Sequence, residues 1–235
     1  MKQLQNERDY INAIFSSIVH HYDLMNTLLS LNQDKYWRRF AISKTELDRG
    51  GIALDVCCGT GGMLPGLARS VSSQGNVVGI DFNKKMLKKA VENLPEKNLT
   101  HCIKLVQGEA TNLPFGEDLY DCATISFGLR NIPNMRKTIS EMKRVVKPGG
   151  KVVSLEFSTP MNPLIRQTYY QYLNYWVPLL GKIINREETY QRLSDSIMSF
   201  PHQRKIGELF KKAGLDNTLY FELTGGIATV HVGTA

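Results

Sequence analysis

A glycine-rich segment that follows a short apolar stretch is the part of this sequence best suited to hold a ligand. It reads Leu54-Asp-Val-Cys-Cys-Gly-Thr-Gly-Gly62, and Asp81 lies 20 residues beyond Gly61. Glycines let the backbone turn tightly and approach a ligand, and a helix that starts there points free N–H groups into the same crevice. An acid about 20 residues downstream can hold the two hydroxyls of a ribose. A ligand that contains a ribose is therefore expected.

Asp55 distinguishes this segment from a dinucleotide site. The dinucleotide pattern is Gly-x-Gly-x-x-Gly, whereas this chain has Asp-x-x-x-Gly-Thr-Gly. A carboxylate just before the turn suits an ammonium group better than a pyrophosphate. Asp81 could instead only cap a helix beginning near Asn83, but its position at the end of a strand favours the ribose.

Strands and helices alternate from residue 52 onwards, and these elements must position the site. Apolar stretches predict strands at 52–57, 76–81, 102–106, 121–126 and 151–156, with two closing strands near 219–223 and 227–232. Mostly apolar strands that alternate with helices predict a parallel sheet covered on both faces. We therefore expect an α/β fold.

Two helical segments flank this core. Residues 1–50 have apolar residues at helical spacing, and residues 158–201 are rich in aromatic residues, with Ile165, Tyr169, Tyr172 and Trp176 spaced along one helical face. We expect a single domain made of a helical cap (1–50), a core (51–157), a helical lid (158–201) and a closing helix with two strands (202–235).

Composition narrows the class of protein. The 235 residues are 42% hydrophobic and carry a net charge of +7, and no apolar run approaches the ~20 residues that span a bilayer. The N-terminus has no signal-peptide pattern, so a cytoplasmic protein is expected. The cysteines are not spaced as metal ligands, and we expect core thiols and no metal. The positive charge fits nucleic acid, an anionic membrane or a solvated surface, of which the last is favoured.

The segment Gly108-Glu-Ala-Thr-Asn-Leu-Pro-Phe115 follows the third strand, and with the glycine-rich loop and Asp81 it resembles the class I S-adenosylmethionine (SAM)-dependent methyltransferases. The resemblance implies a Rossmann-like, mostly parallel sheet whose last strand is antiparallel, and SAM as methyl donor. It also implies that Glu109 and Ala110 contact the adenine, while Ser126 lines the far side. The expected cofactor-binding residues are Asp55, Gly59, Thr60, Gly61, Asp81, Glu109, Ala110 and Ser126.

Other segments are similar to the ubiquinone/menaquinone biosynthesis C-methyltransferase family. The specific ones are Tyr22-Asp-Leu-Met-Asn26 with Trp37-Arg38, and Ile125-Ser-Phe-Gly-Leu-Arg-Asn-Ile132; the ending Gly225–Gly233 also matches. The resemblance covers the whole chain. It implies methylation of a ring carbon of a polyprenylated quinol, with demethylmenaquinol favoured.

Four residues depart from what that family usually has at these positions. Asn32 and Asp34 replace a Gly and a His, Gly62 replaces an acid, and Arg192 replaces an aromatic residue. These departures concern the mouth of the substrate site and leave the expected fold and cofactor unchanged.

Arg130 is the candidate catalytic residue. A quinol ring carbon becomes nucleophilic when the neighbouring hydroxyl loses its proton, and a cation near that oxygen lowers its pKa. Arg130 follows strand four at the edge of the sheet where α/β sites lie. Tyr22, Asp23 and Asn26 are expected to close the site, with Asp23 as a candidate proton acceptor. The alternatives are that Arg130 ties the loop through a salt bridge, and that Tyr22 and Asp23 only pack and cap a helix.

The prenyl tail implies transient contact with a membrane surface, since removing each CH₂ from an apolar phase costs ~0.8 kcal/mol. Three other functions stay open: methylation of another small aromatic or lipid, methylation of RNA, and SAM binding without catalysis. The expected Asn/Asp-Pro-Pro-aromatic loop of nucleobase amine methyltransferases is replaced by Ser126-Phe-Gly-Leu129, so no nucleic-acid partner is expected. The sequence is compatible with a homodimer, and it does not distinguish a naphthoquinol from a benzoquinol.

Overall fold

A computed structural model describes residues 2–94, 101–183 and 187–235, and its central feature is a seven-stranded sheet. The strands lie in the order β3-β2-β1-β4-β5-β7-β6. Strand β7 runs antiparallel to both β5 and β6, and the pairings among β1 to β5 are parallel. The strands are β1 (Ile52–Val56), β2 (Asn76–Asp81), β3 (Ile103–Gln107), β4 (Tyr120–Ser126), β5 (Val146–Phe157), β6 (Asp216–Leu223) and β7 (Ala228–Thr234). The predicted α/β fold, mostly parallel with an antiparallel last strand, is confirmed.

Helices cover both faces of the sheet, because the strands bury side chains on both. Along β1, Ala53 packs into one apolar cluster with Trp37 and Leu67, whereas Leu54 packs into another with Phe210. Successive side chains of a strand point to opposite faces, so one strand feeds both layers. The described helices are α1 (Lys2–Ile18), α2 (Tyr22–Leu29), α3 (Asp34–Ser43), α4 (Leu64–Val71), α5 (Lys84–Asn93), α6 (Met135–Val145), α7 (Pro163–Gln171), α8 (Val177–Ile183), α9 (Glu187–Ser199) and α10 (Gln203–Lys212).

Asparagine side chains cap the N-termini of two helices that begin at the carboxyl edge of the sheet. Asn83 accepts a hydrogen bond from the backbone N–H of Met86 and thereby begins α5 directly after β2. Asn134 caps α6 in the same way by accepting from Lys137. Both helices begin at the carboxyl edge of the sheet, next to the loops that follow β2 and β4.

Strand β5 begins earlier than predicted. Val146 already pairs with Tyr120, and the register then shifts before Lys151 pairs with Cys122. The segment Pro148-Gly149-Gly150 therefore lies inside β5, where it forms an irregularity in the pairing, and does not precede the strand. Proline and glycine are accommodated at such irregularities because few ladder hydrogen bonds are needed there.

The predicted aromatic face of the 158–201 segment is not buried along its whole length. Tyr169 is buried, but Ile165 and Trp176 are exposed. Trp176 belongs to a π-helical segment, Tyr172–Trp176, between α7 and α8. A π-turn holds one more residue than an α-turn and so rotates the residues after it about the helix axis. The buried positions become Tyr169, Leu173 and Val177.

Candidate active site

A cavity of about 510 Å³ lies at the carboxyl edge of the sheet, within the ~300–1,000 Å³ typical of small-molecule sites. The loops after β1, β2, β3 and β4 form its walls, and α1 and α2 cover it. Of the residues predicted to bind the cofactor, five line it: Gly59, Asp81, Glu109, Ala110 and Ser126.

Asp81 ends β2 with its carboxylate fixed at this cavity. Its two oxygens accept hydrogen bonds from the backbone N–H of Gly59, at 2.9 Å, and of Asn83, at 2.8 Å. Burial raises the pKa of Asp81, although these N–H groups oppose the increase. A carboxylate held in this way, at the edge of the pocket, matches the pair of hydroxyls of a ribose.

Glu109 and Ala110 follow β3 and line the same cavity, together with the apolar side chains of Met86 and Ile132. Gly108 lets this loop lie directly against β2, because a Cβ there would be 2.8 Å from Cδ1 of Ile80. A cavity lined here by apolar side chains and one acid suits an aromatic base such as adenine.

The glycine-rich loop adopts left-handed backbone conformations, with φ of +54° at Gly59 and +87° at Gly61. Cys57 shares this conformation, at φ +54°, although it has a side chain. The loop after β4 comes close to Cys57, and glycine at position 128 makes this possible, since a Cβ at Gly128 would lie 2.7 Å from the Cβ of Cys57. Cys57 packs against the apolar core and also lines the cavity, so the predicted core position is only partly correct for this cysteine. Burial raises the pKa of its thiol well above its usual range.

Asp55 lies behind the cavity wall, where its side chain is buried. Its carboxylate accepts a hydrogen bond from the Thr124 hydroxyl at 2.7 Å. Burial raises the pKa of Asp55 to about 7, against the opposing effects of Thr124 and of the charge of Arg38. Thr60 and Gly61 also lie outside the set of residues that line the cavity.

Arg38, from α3, contacts the wall of the first cavity through Ser126, and the sequence predicted no role for it. Its Nη1 donates to the Ser126 hydroxyl at 2.6 Å, and its guanidinium lies 5.0 Å from the centre of the Phe127 ring. Gly62 leaves the space for it, because a Cβ at Gly62 would be 2.9 Å from Cζ of Arg38. Arg38 and Asp55 place a positively charged group and a carboxyl group near the same loop. The Trp37-Arg38 pair was the available signal.

A second, apolar cavity of about 60 Å³ adjoins the first. Ile11, Phe15, Tyr22 and Asn131 line both. The remaining walls are apolar residues of α1 and α2, residues of α9, and two predicted catalytic residues, Asn26 and Arg130.

Arg130 forms a buried salt bridge with Glu156 at 2.8 Å, and it also donates to the carbonyl oxygen of Phe127 at 2.7 Å. Within the part of the chain that the structure describes, its Nε and the Nδ2 of Asn26 have no hydrogen-bond partner. Both atoms are buried donors, and both residues line the second cavity. Unpartnered donors of this kind can bind an oxygen atom of a ligand.

Asp23 lies elsewhere. Its carboxylate accepts hydrogen bonds from the Thr60 hydroxyl at 2.5 Å and from Asn93 Nδ2 at 2.7 Å. It lines neither of these two cavities. The side chain therefore ties α2 to the glycine-rich loop and to the end of α5.

This sheet order, with a ligand cavity at the carboxyl edge, is that of the class I SAM-dependent methyltransferases. A SAM-dependent methyltransferase from Aquifex aeolicus superimposes with a TM-score of 0.63 at 18% identity, over 90% of this chain and 96% of the other. One from Thermotoga maritima gives 0.66 at 16% identity, over 94% and 98%. At these identities the likeness shows the fold.

The model of the ubiE/COQ5 methyltransferase family matches residues 1–235, and the chain belongs to this family. It is 44% identical to a demethylmenaquinone methyltransferase of Desulfitobacterium hafniense, over 95% of this chain and 89% of that protein. A protein of the same name from Shouchella clausii is 39% identical over 97% of both chains. The chain is therefore an enzyme that transfers methyl groups from SAM, and the family resemblance is confirmed.

Proposed function

We propose that the enzyme methylates a ring carbon of demethylmenaquinol to give menaquinol. The proposal rests on the relatives named demethylmenaquinone methyltransferase, which align along nearly the whole chain. The second cavity supports it, since it combines apolar walls with two buried, unpartnered donors.

The residues around the first cavity fit SAM and are proposed to hold it. Asp81 would accept the ribose hydroxyls, Glu109 and Ala110 would border the adenine, and Asp55 and Arg38 would act on the charges of the amino-acid end from behind the cavity wall. When bound there, SAM supplies an activated methyl group on its sulfonium. The protein mainly has to align the ring carbon with that methyl group, and positioning of this kind can contribute ~7–11 kcal/mol.

The quinol ring is proposed to occupy the junction of the two cavities, which Tyr22 and Asn131 both border. A volume of about 60 Å³ is smaller than a bicyclic ring needs, so the cap helices must shift to admit it. Arg130 Nε and Asn26 Nδ2 would then donate to a ring oxygen. Hydrogen bonds to the charged form lower the pKa of the hydroxyl and stabilise the quinolate.

The first test is a substrate assay with labelled SAM. Demethylmenaquinol in detergent should be methylated faster than a benzoquinol of the same tail length. The oxidised quinone should not react under anaerobic conditions, because it is electrophilic and has no hydroxyl to deprotonate. Equal turnover of the oxidised and reduced forms would contradict the mechanism.

The second test removes the donor on Arg130. Loss of one such donor typically lowers kcat by about 10²–10³, while the dissociation constant of SAM, measured by calorimetry, should change little. Arg130→Met alone would leave Glu156 buried without its partner, so the double variant Arg130→Met/Glu156→Gln keeps the fold testable. A variant that binds SAM weakly but retains kcat would show that Arg130 belongs to the cofactor site.

A prenylated substrate also implies contact with a lipid surface. No helix among the described residues is long and apolar enough to cross a bilayer. We therefore propose peripheral association, in which the tail stays largely in the lipid while the ring enters the second cavity.

A further inference from the structure

Two neighbouring helical elements expose apolar side chains beside the second cavity. On and just after α2, Leu24, Leu28 and Leu31 are exposed, Leu31 to 79%. On the π-helical segment and α8, Tyr175 is 73% exposed and Trp176 is 61% exposed. We call the surface formed by Leu24, Leu28, Leu31, Tyr175, Trp176 and Leu179 the apolar face.

The two parts of this face are joined by a hydrogen bond. The Tyr172 hydroxyl donates to the backbone carbonyl of Leu29 at 2.9 Å. Leu28 precedes Leu29 in sequence and Leu31 follows it by two residues, and Tyr175 and Trp176 lie about one helical turn after Tyr172. The hydrogen bond therefore places the insertion close to α2, near its exposed leucines.

The π-helical segment is what directs Trp176 outward. Leu173, within this segment, and Val177, just after Trp176, are buried. Tyrosine and tryptophan have an apolar ring with a polar atom, and they are enriched where proteins meet the boundary between lipid and water.

The apolar face adjoins the proposed substrate site. Met25 and Leu29 of α2 line the second cavity, whereas Leu24 and Leu28 of the same helix face solvent. A substrate whose tail lies in lipid at this face would have a short path for its ring into the cavity.

The charges around the face are complementary to an anionic surface. The sequence has no Asp or Glu between Glu156 and Glu187, and in that stretch Lys182 is exposed. Beside Leu24 lies one exposed acid, Asp23, whose carboxylate accepts hydrogen bonds from Thr60 and Asn93. Between residues 24 and 45 the one acid is Asp34. It is buried and faces Arg38, whereas the basic residues Lys35 and Arg39 are exposed.

We propose that the apolar face docks on an anionic phospholipid bilayer, with its leucines and Trp176 entering the headgroup boundary while the basic residues meet lipid charge. The inference rests on the proposed function for its purpose, since a prenylated quinol is what the docked enzyme would take up. The location of the docking surface rests on the exposure of these side chains, on the hydrogen bond that joins α2 to the insertion, and on the charged residues nearby.

The experiment is flotation of the purified full chain with vesicles of phosphatidylcholine alone or with phosphatidylglycerol. The triple variant Leu28→Gln/Leu31→Asn/Trp176→Gln removes three exposed side chains; asparagine suits residue 31 because its φ is +49°. The control variant Val91→Gln/Leu219→Thr changes exposed apolar residues on α5 and β6. Wild type and control should float with phosphatidylglycerol vesicles, and the triple variant should bind at least tenfold less.

Activity on two substrates separates this inference from the proposed function. The triple variant should methylate a short-tailed, water-soluble demethylmenaquinol like wild type, but a vesicle-embedded long-tailed one much more slowly. If wild type methylates neither quinol yet floats through this face, the proposed function fails and docking stands. Equal flotation of wild type and triple variant would overturn the docking. A second outcome would also overturn the docking: the wild type is a dimer, and the triple variant is a monomer that still binds vesicles. The apolar face would then join two copies of the chain.

Discussion

Asp55 is a carboxyl group whose ionisation is set by its surroundings. It is 1% exposed, and burial raises its pKa to about 7. An ammonium group bound beside it would favour the charged form and lower that pKa. If Asp55 holds the ammonium of SAM, cofactor binding must release a proton at neutral pH.

The affinity for SAM is therefore expected to rise as the pH increases through about 7. Calorimetry in two buffers with different ionisation enthalpies should show proton release at pH 7. Asp55→Asn, which can still accept the Thr124 hydrogen bond, should bind more weakly and release no proton through this group. Identical proton release in the variant and the wild type would assign the proton to another group.

The sequence predicted a cofactor role for Asp55, Gly59 and Asp81 because each lies near the end of a predicted strand; the structure places Gly59 and Asp81 at the first cavity and Asp55 behind its wall. The sequence did not assign Arg38 a role, because that role depends on contacts with Gly62 and Ser126, which are distant in sequence. The sequence shows that residue 62 is a glycine where the family usually has an acid. It does not show that the Arg38 guanidinium occupies the space beside that glycine.

At the scale of elements, the cap helices are fastened to the core by two sets of polar contacts. Asn83 Nδ2 lies 2.8 Å from Asn12 Oδ1 and 2.9 Å from Ser16 Oγ, which ties α1 to the start of α5. Asp23 ties α2 to Thr60 and Asn93. Because α1 and α2 cover the first cavity, these contacts should hold the cofactor in.

The variants Asp23→Asn and Asn93→Ala distinguish a fastening role of Asp23 from a role as proton acceptor. If Asp23 fastens the cap, both variants should speed SAM dissociation and hydrogen exchange in α2, with similar modest losses of kcat. If Asp23 accepts the proton, Asp23→Asn should lose most of kcat while Asn93→Ala retains it. Stopped-flow release of SAM and single-turnover rates measure the two effects separately.

The strands β1 to β4 were predicted within one or two residues, because each is a short apolar run, whereas β5 begins five residues before its predicted start. The predicted second strand, 76–81, coincides with β2. The aromatic insertion was harder, since a helical period applied across Tyr172–Trp176 ignores the π-turn. A one-residue shift in register is enough to move Trp176 from the packed side to the solvent.

At the scale of the whole molecule, two buried groups on the sheet affect stability in opposite directions as the pH changes. Burial lowers the pKa of His231 on β7 to about 4, from a usual value of 6.5, while its Nε2 lies 2.8 Å from the Gln203 carbonyl. Below pH 6.5 the unfolded chain takes up a proton at this residue that the folded one refuses, so its contribution to stability is lost as the pH falls towards 4.

Asp55 acts in the other sense. Its carboxyl stays protonated in the folded state up to pH about 7, while in the unfolded chain it ionises above 3.8. Its contribution is therefore fully present below pH 3.8 and is lost as the pH rises through 7. The raised pKa of Asp81 adds to this trend, whereas the lowered pKa values of Asp121 and Glu141 act in more acidic solution.

Between pH 4 and 6.5 the two trends should largely offset each other in the wild type, since shifts of this size each correspond to roughly a few kcal/mol. Single substitutions should expose them. His231→Gln, which can still donate to Gln203, should lose stability steadily as the pH rises; Asp55→Asn should gain stability over the same range. Urea unfolding at several pH values measures both slopes. Parallel curves for the two variants would mean that neither buried group controls the pH dependence of stability.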